Sequence, residues 1–457
     1  MRNILMRARM SPLDTFDAPH ILLNNSISGN VGNLVYQYGV SRTLMTEETN
    51  ITPDYGKVDS NKADEINQNF DCYVIPLADA FRKDFVSELR QYTKLIKKLK
   101  IPVIVIGVGL RAPFEPKLNE GFPFDKDVKE FVTAVLERSS IIGVRGEITA
   151  KYLTKLGFRE GIDHTVIGCP SMYTFGRDLK IRDTSITNES IITVNSSKLA
   201  PNNVLSFISR SMEQFPNHYF IPQWFSEMKL VYSGGPPLAK QKANYPGKMS
   251  DPVYMSNRVR FFLNVPTWLE FLKKADLSVG ARLHGNITAT IAGTPSLLIP
   301  KDARMRELAE YHNLTHIWYN EITDETNLMD LVGKVDFHSP EKKQAENFEH
   351  FIDFLNKNNL DHIYKHDLYS NKAPLDEKLA KVSHYPAIET ISGCSVEEMV
   401  SRWEKYDYIL ASKNAKAQKD LKEKIAQRDK TIKKLKGNLN RKSVRIALKT
   451  ANLLKFK

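Results

Sequence analysis

Residues 276–300 (Asp-Leu-Ser-Val-Gly-Ala-Arg-Leu-His-Gly-Asn-Ile-Thr-Ala-Thr-Ile-Ala-Gly-Thr-Pro-Ser-Leu-Leu-Ile-Pro) constrain the fold more than any other stretch. Residues 276–279 read as a buried strand, and Gly280 and Ala281 turn the chain at its end. A short helix is expected over 286–292, stopped by Gly293 with Pro295 just beyond, and a second strand over 296–299. Arg282 and His284 then stand at the carboxyl end of a strand, beside the free amides of a helix N-terminus. In an open α/β sheet that is where a ligand binds and where an anion is favoured. Gly280, Gly285 and Gly293 keep the backbone uncluttered around the two side chains. The helix, with Ile287, Ala289, Ile291 and Ala292, is too apolar to face solvent, which places Arg282 and His284 on a cleft. The plain alternative is an Arg and a His decorating a surface turn.

The rest of the chain repeats this logic. Residues 1–18 read as a loose leader and 20–25 as a first strand, followed by the Gly/Asn turn 26–33 and a helix over 34–45. That turn, with Asn30 and Asn33, is neither a Walker loop nor GxGxxG, but it suits close approach of a ligand. Strands are expected over 71–77, ending at Asp79, and over 101–109, ending at Arg111. The second is a continuous apolar run, as in a parallel sheet covered on both faces. Helices over 85–100 and 127–138 flank it. A strand over 141–144 runs into Arg145-Gly146-Glu147 and a helix over 148–156, and residues 166–170 close this half. A second half starts after 178–190, with strands at 191–195 and 218–221, a helix at 203–214, a long mobile excursion at 229–259 and a helix at 268–274. After the 276–300 unit come a helix over 304–311 and a short strand over 315–319. Alternating strands and helices make doubly wound parallel sheets.

The expected domains are therefore a leader (1–18), a first α/β half (19–182), a second (183–338), a helical segment packing back on the body (339–411) and a basic tail (412–457). Among 457 residues there is no run of eighteen apolar residues and no apolar core of a secretory signal. Three widely spaced cysteines, Cys72, Cys169 and Cys394, fit neither a disulfide framework nor a zinc site, and they suit a reducing, cytoplasmic compartment. Of the net charge of +12, residues 412–457 carry +13, from 16 Lys and Arg against 3 Asp and Glu, which leaves the body at −1. A near-neutral body argues against nucleic acid as its ligand. In the tail, Leu421, Ile425, Ile432, Leu435 and Leu439 follow a partial heptad, broken by Arg428 and Lys442 in seam positions and by Gly437. Residues 444–456 interleave Arg445, Lys449 and Lys455 with Ile446, Leu448, Leu453, Leu454 and Phe456. The stretch suits either the surface of an anionic membrane or a solvated, disordered tail.

With these pieces placed, residues 20–320 resemble the polysaccharide pyruvyl transferase family. The resemblance rests on the opening turn Gly29-Asn30-Val31-Gly32-Asn33, the strand end 106–113, the junction 144–147, and above all Gly280-Ala281-Arg282-Leu283-His284-Gly285 with Gly293-Thr294-Pro295. The chain departs from the family pattern at Asn33, at Leu77-Ala78-Asp79, at Gly146 and at Cys169-Pro170.

The resemblance implies two Rossmann-like halves in a GT-B-like arrangement. It also implies transfer of a pyruvyl group from phosphoenolpyruvate to a diol on a glycan or lipid-linked sugar, giving a ketal and phosphate without a metal or cofactor. Phosphoenolpyruvate carries a carboxylate and a phosphate, both of which arginine recognises with its planar fork. Arg145 and Arg282, from opposite halves, are expected to grip it, with Leu283, His284, the Gly285 and Asn286 amides, Lys301 and Arg304 completing the donor site. His284 is the candidate acid/base. Asn30, Asn33, Asp79, Arg111 and Glu147 are the acceptor-side candidates. Asp79 serves equally as a helix cap, Glu147 as a first-turn charge, and Lys301 and Arg304 as solvated residues. Two other readings stay open: a GT-B glycosyltransferase using a nucleotide sugar, and a non-catalytic glycan-assembly protein.

Overall fold

In a computed structural model, which describes residues 1–454, the chain divides into two compact units, residues 1–395 and 396–457. The first unit is α/β. Its strands in chain order are β1 (Arg2–Met6), β2 (Thr49–Pro53), β3 (Cys72–Pro76), β4 (Val103–Ile106), β5 (Ile142–Val144), β6 (His164–Val166), β7 (Ile192–Asn195), β8 (His218–Phe220), β9 (Arg260–Phe261), β10 (Leu277–Gly280), β11 (Ser296–Leu298) and β12 (Ile388–Glu389). Two four-stranded parallel sheets result, in the orders β2-β1-β3-β4 and β11-β10-β7-β8. The parallel pair β5-β6 extends the first sheet through a bridge from Val108 to Val144, and β9 and β12 form a small antiparallel ribbon. These are two Rossmann-like halves in a GT-B-like arrangement, with helices between the strands.

Residue chemistry explains the layering. Val103, Ile104, Val105 and Ile106 are all sealed from solvent, so β4 needs helices on both faces. The helix Val86–Ile96 supplies one of them, burying Leu89, Tyr92, Leu95 and Ile96 at helical spacing, and packs beside the helix Asp125–Leu136, which buries Val128, Phe131, Val132 and Val135. Each such side chain contributes about 1.5–3 kcal/mol.

Several expectations need correction. Residues 1–18 are not a leader: β1 lies in the middle of the first sheet, with Ile4 registered on both Ile51 and Cys72. The first strand expected at 20–25 is the helix Ala18–Asn24, with Asp17 accepting a hydrogen bond from the His20 amide at 2.8 Å and a proline in its first turn. The excursion 229–259 contains the end of the helix Phe225–Ser233 and the turn Pro252–Met255, and it anchors Tyr245 and Tyr254 in the interior. Residues 315–319 form only a single bridge, between Leu298 and His316.

Beyond the second sheet, the helix Glu341–Lys357 lays Phe351 flat on Tyr173, 4.9 Å between ring centroids. In the second unit the helix Val396–Leu439 runs unbroken through the expected boundary at 411 and through Gly437, and the helix Lys442–Leu454 follows. Leu421, Ile425, Ile432, Leu435 and Leu439 are exposed along the longer helix. Lys455 and Phe456 lie outside the described residues.

Candidate functional site

A cleft of about 1170 Å³ opens where the carboxyl ends of both sheets meet. Segments just beyond β1, β2, β3, β4, β7, β8, β10 and β11 all line it, as expected for ligand sites in parallel α/β sheets. Eight cationic side chains face it against five carboxylates.

The second half builds one wall. At the end of β10 a Cβ on Gly280 would lie 1.8 Å from the Asn195 carbonyl oxygen, so only glycine lets the two strand ends meet. Asn195 then accepts hydrogen bonds from the amides of Ala281 and Arg282. Arg282 donates from Nε to the Ser196 carbonyl at 2.7 Å and lies 4.2 Å over the Trp224 ring. Its Nη2 is 3.4 Å from Glu227, which is wholly buried and also accepts from the amides of Gln223 and Trp224 and from the Tyr245 hydroxyl. Lys301 follows β11, and burial together with the nearby Arg282 pushes its ammonium down to about 7. Lys301 makes no hydrogen bond among the described residues.

The first half builds the other wall. Asp79, beyond β3, receives Arg82 at 2.8 Å and, from the opposite half, Arg304 at 3.3 Å. Burial raises its carboxyl, but Arg304 and Arg82 outweigh burial and hold it below the usual carboxylate range. Arg111 pairs only loosely with Asp84, at 3.7 Å. The 26–33 turn is tied to itself: Asn30 accepts from the Gly32 amide at 2.9 Å, and Asn33 donates weakly to the carbonyls of Ile27 and Ser28. Arg7 donates to the Tyr92 hydroxyl at 2.9 Å and to Tyr36 at 3.4 Å.

His284 lies in the first turn of the helix Leu283–Ile291, against the Tyr36 ring at 5.6 Å and with Nε2 3.9 Å from Cys169 Sγ. Burial, then Arg145 and Arg304, hold its imidazole far below the usual histidine range. A helix N-terminus disfavours an imidazolium in the same sense. His284 is therefore neutral near pH 7 in the free site.

The family model for polysaccharide pyruvyl transferase matches residues 40–302. This chain belongs to the polysaccharide pyruvyl transferase family. No curated protein matches it. Among solved structures it is distantly similar to the UDP-GlcNAc 2-epimerase of Neisseria meningitidis bound to UDP-GlcNAc (12% identity, TM-score 0.42, 78% of this chain and 100% of that one). It is similar at the same distance to the MnaA–UDP co-structure of S. aureus (12%, TM-score 0.42, 79% and 98%). The UDP-GlcNAc 2-epimerase of Methanocaldococcus jannaschii, in complex with UDP-GlcNAc and UDP, gives 14%, TM-score 0.40, 78% and 99%.

In this family member the cleft gathers Arg282, Leu283, His284, Lys301, Arg304, Asn30, Asn33, Asp79 and Arg111. Four expected residues do not reach it. Arg145 is sealed beneath the floor, donating from Nε to the Gly107 carbonyl at 2.7 Å and from Nη2 to Leu77 at 3.3 Å, 5.7 Å under the Tyr36 ring. The expected grip on one ligand by Arg145 and Arg282 is thus absent. An ion pair that does join the halves across the cleft is Arg304 to Asp79, beside the backbone bridge from Asn30 to Trp224. The helix after β10 begins at Leu283 rather than at 286, so the Asn286 amide is spent on the Arg282 carbonyl and its side chain holds Asn195, Gly280 and Arg282. Gly285 is packed where a Cβ would strike Gln223 and Asn195. Glu147 is an exposed first-turn charge. Sequence reasoning missed Arg7, Tyr36, Arg82, Trp224 and Glu227. Arg7 directly follows β1 and Trp224 comes four residues after the end of β8, and a place beyond a strand's carboxyl end is the signal that could have found them.

Proposed function

We propose that the protein transfers a pyruvyl group from phosphoenolpyruvate to two neighbouring hydroxyls of a sugar in a cell-surface polysaccharide or its precursor. The observation that carries this reading is a neutral imidazole, His284, set among Arg282, Lys301 and Arg304 in a cleft with excess positive charge. Such a cluster suits a small donor bearing both a carboxylate and a phosphate.

In the proposed reaction the donor's methylene carbon gains a proton, which makes the ester carbon oxocarbenium-like. One sugar hydroxyl adds there, the second displaces phosphate, and the ketal closes. Of the two hydroxyl protons one ends on the new methyl group and the other leaves with phosphate. His284 relays the first, while Arg282, Lys301 and Arg304 hold the anionic groups and Arg145 contributes its charge from beneath. The site binds substrate directly and uses no cofactor in this reading.

The test follows phosphoenolpyruvate by phosphorus NMR with cell-envelope glycan acceptors. Phosphate release that depends on the acceptor, with a new ketal carbon signal, supports the reading. Turnover retained in His284→Gln, or donor hydrolysis indifferent to any acceptor, contradicts it.

In this reading the protein works in the cytoplasm, with its tail peripheral on the inner face of the membrane. No helix of the described residues is long and apolar enough to cross one. The chain carries no acidic residue after Asp429, and the helix Lys442–Leu454 carries Lys442, Arg445 and Lys449 alongside Val444, Ile446 and Leu448. A basic amphipathic helix of this kind suits an anionic lipid surface.

A further inference from the structure

His284 has two ring nitrogens in different surroundings. Nε2 points inward to Cys169 Sγ at 3.9 Å, and the Cys169 thiol donates its own hydrogen to Ser171 Oγ at 3.4 Å. With its hydrogen committed to Ser171, the sulfur has only lone pairs to offer the ring, and a sulfur lone pair is a weak acceptor. Nδ1 has no hydrogen-bond partner among the described residues and is not sealed from solvent, while the side chain lines the cleft, so Nδ1 opens toward the substrate space.

We infer that Cys169 is a positioning residue that fixes the tautomer of His284: its sulfur receives the Nε2 hydrogen, leaving the Nδ1 lone pair facing the cleft as the atom that takes the proton from an acceptor hydroxyl. No carboxylate performs this task. The charged groups whose fields reach the ring are Arg145 and Arg304, which are cationic, and Asp79, which is already paired with Arg304 and Arg82. The uncharged Tyr36 ring also packs against it, 5.6 Å between ring centroids. A neutral imidazole takes either tautomer according to the hydrogen bond at its other nitrogen. In the step, the hydroxyl proton passes through Nδ1 to the methylene carbon, where the C=C π pair forms the new C–H bond, and the electron pair left by the broken O–H bond forms the bond from oxygen to the ester carbon thus made oxocarbenium-like.

This inference rests on the pyruvyl-transfer reading for the identity of the hydroxyl, but its spectroscopic test does not. Nitrogen-15 NMR of full-length protein labelled at histidine, with the His284 signals assigned by comparison with His284→Gln, reads the tautomer directly in the absence of substrate. The expected wild-type ring carries hydrogen on Nε2. Cys169→Ala should shift it to a mixture or to the Nδ1–H form and lower kcat about tenfold or more, with KM for phosphoenolpyruvate within about twofold. Cys169→Ser, which keeps a hydrogen-bond acceptor, should restore the Nε2–H form and much of kcat. A wild-type ring with hydrogen on Nδ1, or a Cys169→Ala protein with unchanged tautomer and kcat, overturns the inference. If the tautomers behave as expected but no variant or wild type turns over phosphoenolpyruvate, the pyruvyl-transfer reading fails and the role of Cys169 stands.

Discussion

Arg304 and Asp79 meet across the cleft at 3.3 Å, and this pair ties the second half of the protein to the first. Arg304 stands in the first turn of the helix Ala303–Tyr311 and Asp79 just beyond β3. Arg82 approaches the same carboxylate from the other side, so one acid serves two guanidiniums.

Asp79→Asn should therefore leave Arg304 with Asp302 and Arg82 with Asp84 as their remaining partners, and lower stability by about 1–2 kcal/mol, between the values for exposed and fully buried pairs. The folded carboxyl titrates below its unfolded value, so its contribution is present above about pH 4 and is lost as pH falls through the folded value. Thermal melts of wild type and variant should differ at pH 7 and converge in acid. A gap that stays constant into acid would contradict this.

Lys301 carries the next expectation. Burial, and then Arg282, bring its ammonium down to about 7. A bound anion favours the charged form, so phosphoenolpyruvate should bind with proton uptake and lose affinity as pH rises above 7. Calorimetric titrations from pH 6 to 9 should show that slope, and Lys301→Met should flatten it. A slope unchanged in the variant would remove Lys301 from the donor site.

Much of this was legible in the sequence, for identifiable reasons. Strands such as 103–106 are buried on both faces and so appear as unbroken apolar runs. Arg282, His284 and Lys301 lie within four residues of a strand's carboxyl end, and Arg304 in the first turn of the helix after β11, where topology alone makes a site. Elsewhere local signals misled. The apolar core of β1 is only Ile4-Leu5-Met6 between polar flanks, and its partners lie at 49–53 and 72–74, so nothing nearby announces a strand. Ile21-Leu22-Leu23 resembles a strand, although Asp17 and Pro19 supply a helix start. Arg145 sits at a strand end as expected, yet its guanidinium turns inward to two backbone carbonyls, a choice set by tertiary packing. Glu227 meets Arg282 only because the segments beyond β8 and β10, the two strands that flank β7, converge on one wall of the cleft.

Glu307 makes a second link between the halves, accepting hydrogen bonds from the Thr149 amide and hydroxyl at 2.9 Å. Burial pushes its carboxyl up to about 7. A raised acid leaves the folded state binding more protons than the unfolded one between its unfolded value of 4.5 and about 7, so stability falls across that window. The loss is about 3 kcal/mol at most. Glu307→Gln should thus gain stability relative to wild type at pH 7.5 compared with pH 4.5. Denaturant melts at the two pH values check it, and an equal difference at both would refute it.

The tail is expected to bind vesicles containing anionic lipid and to release them in high salt, since each basic residue near such a surface is worth about 1 kcal/mol and is screened by ions. Replacing Arg441, Lys442, Arg445 and Lys449 with glutamate should abolish sedimentation with these vesicles. Equal binding to neutral vesicles, or retained binding in the glutamate variant, would rule out the electrostatic attachment.

The central claim is most directly tested by a crystal structure of the wild-type protein with phosphoenolpyruvate. The expected result is a donor whose carboxylate and phosphate are held by Arg282, Lys301 and Arg304, with its methylene carbon near Nδ1 of His284. A donor bound away from these cations, or a cleft that excludes it at saturating concentration, would contradict the account.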